Sequence, residues 1–316
     1  MTPFRTRLAV ALALALPATM AQAEPFTIVA LGDTAYGDPA EVYPIYQTLI
    51  DTINAAAPKL VLHVGDTKSG STPCSDEALT QQLAYLNMFA APTLYSIGDN
   101  EWTDCHRKKA GSFDPLERLA FLRTTYFKDG THSFGAAPVK VTSQAAEGYP
   151  ENARLLMNDV MFVTAHVPGS NNNFEVRDIK AVEEFMARDA ADVKWLQDSF
   201  AAAKDAKALV LGIQANMFES DWNIEGDLTF SRQSGFFNFG NELRAQAAAF
   251  GKPVLLVHGD THIFAEARPF PMDAPNVLEL QVPGEDQMNA VEVTIDPSTS
   301  GVFATRLLVN PAVKTE

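Results

Sequence analysis

Cysteine is nearly absent: Cys74 and Cys105 are the only two in 316 residues. One disulfide is the most that the chain can form within itself. Basic residues are also scarce, with 24 Lys and Arg against 39 Asp and Glu and a net charge of −15. No basic tract offsets that charge, so neither nucleic acid nor an anionic membrane is an expected partner. A polyanionic substrate would need a local positive centre, and a bound metal is the simplest one. Apolar runs of the ~20 residues that a membrane span needs are missing. No repeat, linker, Gly-x-Ser-x-Gly, phosphate-binding loop or dinucleotide fingerprint occurs, which leaves serine hydrolases and nucleotide-dependent kinases unsupported. With 47% hydrophobic and 20% charged residues, the chain is neither disordered, collagenous nor coiled-coil.

What is present begins with an export signal. Arg5 and Arg7 precede an apolar run over 8–16, and Ala21-Gln22-Ala23 is a small-x-small cleavage site. A signal peptide over 1–23, cut after Ala23, predicts a periplasmic or secreted protein with one domain over 24–316. The remainder loses two arginines and carries −17. In an oxidising compartment Cys74 and Cys105 are expected to pair.

Periodicity predicts strands over 26–31, 60–64, 93–97, 208–213 and 254–257. Helices are predicted over 41–57, 77–89, 115–127, 190–204 and 242–250. A hairpin over 155–165 turns at Asn158-Asp159, and 263–309 is strand-rich. Strands separated by helices imply a helix-covered sheet, and the strands of the middle and tail imply a second sheet.

The chemistry gathers where strands stop. Gly32-Asp33, Gly65-Asp66, Gly98-Asp99 and Gly259-Asp260 each follow a predicted strand, and His262 comes two residues after the last. The first three aspartates recur at 33, 66 and 99, one β-α-β unit apart. A single Gly-Asp is usually only a turn. Four at the carboxyl ends of strands line the crevice where open α/β sheets bind ligands. Carboxylates do not crowd together without cations, so the grouping argues for metal.

At these residues the sequence resembles the calcineurin-like metallophosphoesterases, and most of all exported bacterial members with an altered motif set. That family carries Asp-x-His, Gly-Asp, Gly-Asn-His-Glu, a later His, and Gly-His-x-His, in that order. The matching segments here are Gly32-Asp33-Thr34-Ala35, Gly65-Asp66, Gly98-Asp99-Asn100-Glu101, Gln214-Ala215-Asn216 and Gly259-Asp260-Thr261-His262. The resemblance implies an α/β four-layer sandwich, with two mixed β-sheets flanked by helices. It also implies hydrolysis of a small phosphomonoester or phosphodiester with two divalent ions. Asp33, Asp66 and His262 would form the first metal site, with Asp66 bridging. Asp66, Asp99, Gln214 and Asp260 would form the second.

Several family positions are changed. Ala35, Asp99, Gln214 and Asp260 stand where the pattern has His, Asn, His and His, and Asn100 stands where it has the general-acid His. An all-oxygen second site suits Mn, Mg or Ca, whereas the imidazole at the first suits Zn or Fe. Four carboxylates cancel the charge of two divalent ions, which weakens the pull on phosphate. Lys68 could restore one positive charge, or could be an ordinary loop lysine. Asn100 can hydrogen-bond a phosphoryl oxygen but cannot donate a proton to an alkoxide. His258 and His106 are the other candidate acids, and His258 could equally be structural. His166 and the loop over 168–173 could line the substrate side or simply turn the chain. Trp102 and Trp195 are expected to pack. The competing class is a catalytically degenerate protein that binds metal or ligand on the same scaffold.

Overall fold

In a computed structural model, residues 24–218 and 226–313 are described. The expected leader over 1–23 lies outside them. The elements run in this order: β1 (Phe26–Leu31), α1 (Pro39–Ala56), β2 (Val61–His63), α2 (Asp76–Leu86), β3 (Thr93–Tyr95), α3 (Pro115–Thr125), β4 (Thr142–Gln144), β5 (Tyr149–Met157), β6 (Val160–Thr164), α4 (Ile179–Ala202), β7 (Ala208–Gly212), α5 (Phe237–Phe250), β8 (Val254–His258), β9 (Ala265–Ala267), β10 (Val277–Gln281), β11 (Ala290–Ile295) and β12 (Phe303–Leu308).

These strands build two mixed sheets. The first has the order β12-β11-β1-β2-β3 and the second β4-β5-β6-β7-β8-β10-β9. Strands β1, β2 and β3 are parallel neighbours, as are β6, β7, β8 and β10. Parallel strands buried on both faces read as unbroken apolar runs. In β1, Phe26, Ile28 and Ala30 face the space between the sheets and meet Phe162, Val210, Leu255 and Leu280 of the second sheet. Val29 and Leu31 face outward, against Leu49, Ile50 and Ile53 of α1. On the far side, Trp195 and Phe200 of α4 and Phe239 and Leu243 of α5 cover Leu209 and Leu211. The result is the expected helix–sheet–sheet–helix sandwich. Each fully buried Leu, Ile or Phe adds about 1.5–3 kcal/mol of hydrophobic stabilisation before chain entropy is counted.

The hairpin turns at Asn158-Asp159, whose φ angles of 48° and 62° are those of a tight primed turn. Two helices start earlier than periodicity predicts. Helix α4 begins at Ile179, where the Asp178 side chain accepts from the Lys180 and Ala181 amides, and not at 190. Its first half buries Arg188 and Asp189, which break the apolar stripe that marks a helix in sequence. Helix α5 begins at Phe237, with Phe239 and Gly240 buried, and not at 242. Cys74 and Cys105 are joined as expected, with Cα atoms 5.7 Å apart. No helix among the described residues is long and apolar enough to cross a membrane.

Candidate metal centre

The loops after β1, β2, β3, β6, β7 and β8 meet at the carboxyl ends of their strands. Asp33, Asp66, Asp260 and His262 all hold positive φ, at 49°, 53°, 80° and 63°. Side chains other than glycine rarely adopt that backbone, and such strain persists where the surroundings enforce it, commonly at functional sites. Glycines make the close approach possible. A Cβ on Gly98 would stand 2.0 Å from Asp66 Oδ1, and one on Gly259 2.0 Å from Asp33 Oδ2.

Each carboxylate has turned to a donor of the protein. Asp33 accepts from the Asp260 amide at 3.1 and 3.0 Å. Asp66 Oδ2 accepts from the Tyr36 hydroxyl at 2.8 Å and from Asn100 Nδ2 at 2.7 Å. Asp99 Oδ2 accepts from the Ser170 hydroxyl at 2.6 Å. Asp260 Oδ2 accepts from the Asn216 amide at 3.0 Å. His262 Nε2 lies 3.8 Å from Asp33 Oδ1, and its ring meets the edge of Tyr36 at 5.4 Å. Glu101 ties two of the loops together: it accepts from the amide and hydroxyl of Thr67 and from the amides of Asp66 and Gly98.

The expected residues therefore share one end of the molecule. As placed here, however, no three His, Cys, Asp or Glu side chains among the described residues close around a single point. Burial pushes Asp33 and Asp66 well above the usual carboxylate range. The Asp260 amide lowers Asp33, while the charges of Asp99, Glu101 and Asp260 raise both.

The donor chemistry fits divalent cations. Four carboxylates, one imidazole and the Gln214 oxygen stand together, and Asp33, Asp66 and Gln214 are fully or almost fully buried. A Cβ on Gly169 would lie 2.8 Å from Asp260 Oδ1 and 2.9 Å from Asp99 Oδ2, so glycine there leaves a cradle between them. Gln214 accepts from the Gly169 amide at 2.5 Å, while its Nε2 is buried without a partner.

Two candidate catalytic residues sit elsewhere than expected. Lys68 does not face the crevice. Its ammonium is buried and donates to the backbone oxygens of Asn100 at 2.5 Å, Thr72 at 3.2 Å and Ser69 at 3.3 Å. His258 is fully buried, with Nε2 donating to Glu279 at 2.8 Å and Nδ1 3.0 Å from the Gly259 oxygen, so it orders the turn and reaches no leaving group. Asn100 does lie at the crevice, and its Nδ2 also donates to the Tyr36 hydroxyl at 2.7 Å. His106 lines a neighbouring cavity of about 400 Å³. His166 is buried against Glu151 and the Trp102 ring.

Sequence reasoning missed Tyr36, gave Glu101 no role beyond its place in the third motif, and reached Ser170 only as part of the loop over 168–173. Ser170 through Asn173 form four consecutive residues at positive φ, from 50° to 60°. The Asn-rich stretch was the one available signal, since Asn tolerates that conformation best after Gly.

No family model matches the chain, and no curated protein matches it. Solved structures do. A dimetal phosphatase from Danio rerio superposes with a TM-score of 0.56 over 90% of this chain and 99% of its own, at 10% identity. This is the calcineurin-like metallophosphoesterase fold. A purple acid phosphatase from yellow lupin seeds gives a TM-score of 0.48 at 10% identity, over 90% of this chain and 54% of its own. A protein from Thermus thermophilus gives 0.45 at 9% identity, over 90% of this chain and 100% of its own. At 10% identity the likeness to the dimetal phosphatase is one of fold alone.

Proposed function

We propose that this protein is a metal-dependent phosphoesterase, exported through its N-terminal leader and working in the periplasm. The observation that carries the reading is the meeting of Asp33, Asp66, Asp99, Asp260 and His262 at the carboxyl ends of strands from both sheets, on a metallophosphoesterase fold. Asp33, Asp66 and His262 would hold one ion, and Asp66, Asp99, Gln214 and Asp260 the other. If divalent ions occupied these ligands, they would supply charge neutralisation at phosphorus and would make a water more acidic. Around them the chain's own residues orient the substrate. Asn100 presents an amide beside Asp66, held by Tyr36, and can direct a phosphoryl oxygen. It cannot protonate a leaving alkoxide, and general-acid help is typically worth ~10²–10⁴-fold.

The test is hydrolysis of an aryl and an alkyl phosphate by protein purified without a nickel column, with Mn, Mg, Ca, Zn and Fe each supplied and metal content measured. The expected result is metal-dependent cleavage that favours the aryl ester by at least about 10²-fold. Equal rates for the two esters would show that another acid serves, with His106 the first to substitute. The binding-only alternative draws on the engagement of Asn100 with Asp66 and Tyr36. Ion binding without hydrolysis of either ester would establish it. The mass of protein recovered from the periplasm tests cleavage after Ala23.

A further inference from the structure

Resting on the phosphoesterase reading, we infer that Arg107 grips the phosphate and selects phosphomonoesters over phosphodiesters. The argument begins with charge. Four carboxylates balance two divalent ions, so a loaded centre has little net charge with which to attract phosphate. Lys68 does not supply the deficit, because its ammonium is buried among backbone oxygens out of reach of a phosphate and the buried Glu101 offsets its charge. Arg107 can, since half of its side chain is exposed and it lines the cavity of about 400 Å³ beside the centre.

Its placement is built. Arg107 Nη1 pairs with Asp104 Oδ2 at 2.6 Å, and the Asp104 side chain is almost fully buried. Asp104 Oδ1 also contacts the Ser170 hydroxyl at 3.0 Å, and that hydroxyl donates to Asp99. The guanidinium is thus braced through two side chains against a candidate metal ligand. Gly70 lets it lie close. A Cβ there would stand 2.7 Å from Arg107 Nη1, 2.5 Å from Asn100 Oδ1 and 3.0 Å from Asp104 Oδ2. Arg107 Nη1 and Asn100 Oδ1 are therefore neighbours across a glycine. The Cys74–Cys105 bridge joins the two loops that carry Gly70 and Arg107.

Asp104 takes one N–H of a guanidinium that has five, in a planar fork suited to phosphate oxygens. A phosphomonoester is largely dianionic at neutral pH and gains from this additional cation. A diester carries one negative charge and two ester arms, and gains less. The cavity, lined by Lys180, His106 and Leu116 but also by Asp114, Glu175 and Asp178, has room for the single alcohol of a monoester and leaves Arg107 as the guanidinium on its rim.

The experiment compares metal-loaded wild-type protein with Arg107→Gln and Arg107→Lys. Its substrates are 4-nitrophenyl phosphate and bis(4-nitrophenyl) phosphate, and binding of inorganic phosphate is measured by calorimetry. Arg107→Gln should raise KM for the monoester at least about tenfold, weaken inorganic phosphate by a similar factor, and change the diester less than about threefold. Arg107→Lys should recover part of both losses. An unchanged unfolding midpoint would confirm that the exposed substitution leaves the fold intact. Unaltered phosphate binding and an unaltered monoester-to-diester ratio in Arg107→Gln would overturn the assignment and leave Arg107 a partner of Asp104 only. If the wild type hydrolyses neither ester and binds no phosphate, the phosphoesterase reading itself falls.

Discussion

Two buried polar clusters lie side by side in this molecule, one holding its glutamates with guanidinium groups and the other holding its aspartates chiefly with amides and hydroxyls. Asp192 beside Arg188 is nonetheless pushed up, as Asp33 and Asp66 are. Around Arg188 and Arg123, acids meet guanidinium groups. Arg188 donates to Glu184 at 2.6 Å and lies 3.6 Å from Asp192, while Arg123 and His166 both donate to Glu151. Burial alone would push Glu151 up, yet His166 and Arg123 hold it at about 2. Around Asp33 and Asp66, acids meet chiefly amides, hydroxyls and one another, and both are pushed up. A buried acid with its own cation belongs to the scaffold. A buried set without one is what the proposed metal centre calls for. The clusters also touch, because Arg188 holds Asn172 through its side-chain and backbone oxygens, behind the turn that presents Ser170.

The most severe break is Asp66→Asn, which removes the charge of the carboxylate proposed to serve both ions. It should lower metal-dependent hydrolysis at least about 10³-fold, more than about 4 kcal/mol of transition-state stabilisation. It should also abolish the rise in unfolding temperature on adding metal. Without metal, the variant should be more stable than wild type by about 1 kcal/mol, because one repelling charge is gone. Loss of metal-free stability would mean that the carboxylate set is self-sufficient, and the contrast would collapse.

Arg188→Met should act with the opposite sign. It leaves Glu184 and Asp192 buried without their cation, which costs about 3–5 kcal/mol in urea unfolding. A loss below about 1 kcal/mol would show that the neighbouring hydrogen bonds suffice without the ion pair. Breaking the bridge with Cys74→Ser and Cys105→Ser is next. Their separation of 31 residues corresponds to about 3–4 kcal/mol in the loop-entropy picture, read as a lower urea midpoint.

The smallest effect is a pH dependence. Burial holds His63 at about 3 and His166 at about 4, the latter against a hydrogen bond with Glu151 that works the other way. The unfolded chain takes up these protons near pH 6.5, so between pH 6.5 and each folded value it binds more protons than the folded one. Stability therefore falls as the pH drops, by about 2 kcal/mol per histidine from pH 6.5 to 5. Glu151 adds stability above its ordinary value that is lost only as the pH falls toward 2. His63→Asn keeps an acceptor for the Gly65 amide, which now reaches His63 Nδ1 at 3.2 Å. That variant should flatten the slope between pH 6.5 and 5, and an unchanged slope would remove His63 from the account.

Much of this was legible in the sequence because burial on two faces leaves a plain mark. The runs ending at Gly32, Gly65 and Gly98 are apolar almost without interruption, and the Gly-Asp after each announces both the turn and the carboxylate. Other parts left no such mark. Helix α4 hides its first half behind Arg188 and Asp189, whose burial depends on partners from distant elements. Ser170 and Arg107 are ordinary residue types whose meaning arises only where separate loops meet. His258 and Lys68 stand beside motif residues, yet their side chains turn inward to Glu279 and to backbone oxygens.

The pairing of β1 with β11 joins Phe26 to Ile295, and β10 enters the second sheet beside β8. Neither sheet can be completed from the first 276 residues. During synthesis, β1 and β8 would each wait with an open edge for partners made last. Such distant pairing slows folding and leaves sticky strand edges exposed in the meantime. A chain ending before residue 277 would keep Asp33, Asp66, Asp99, Asp260 and His262, with every motif intact, and would be expected to aggregate rather than fold.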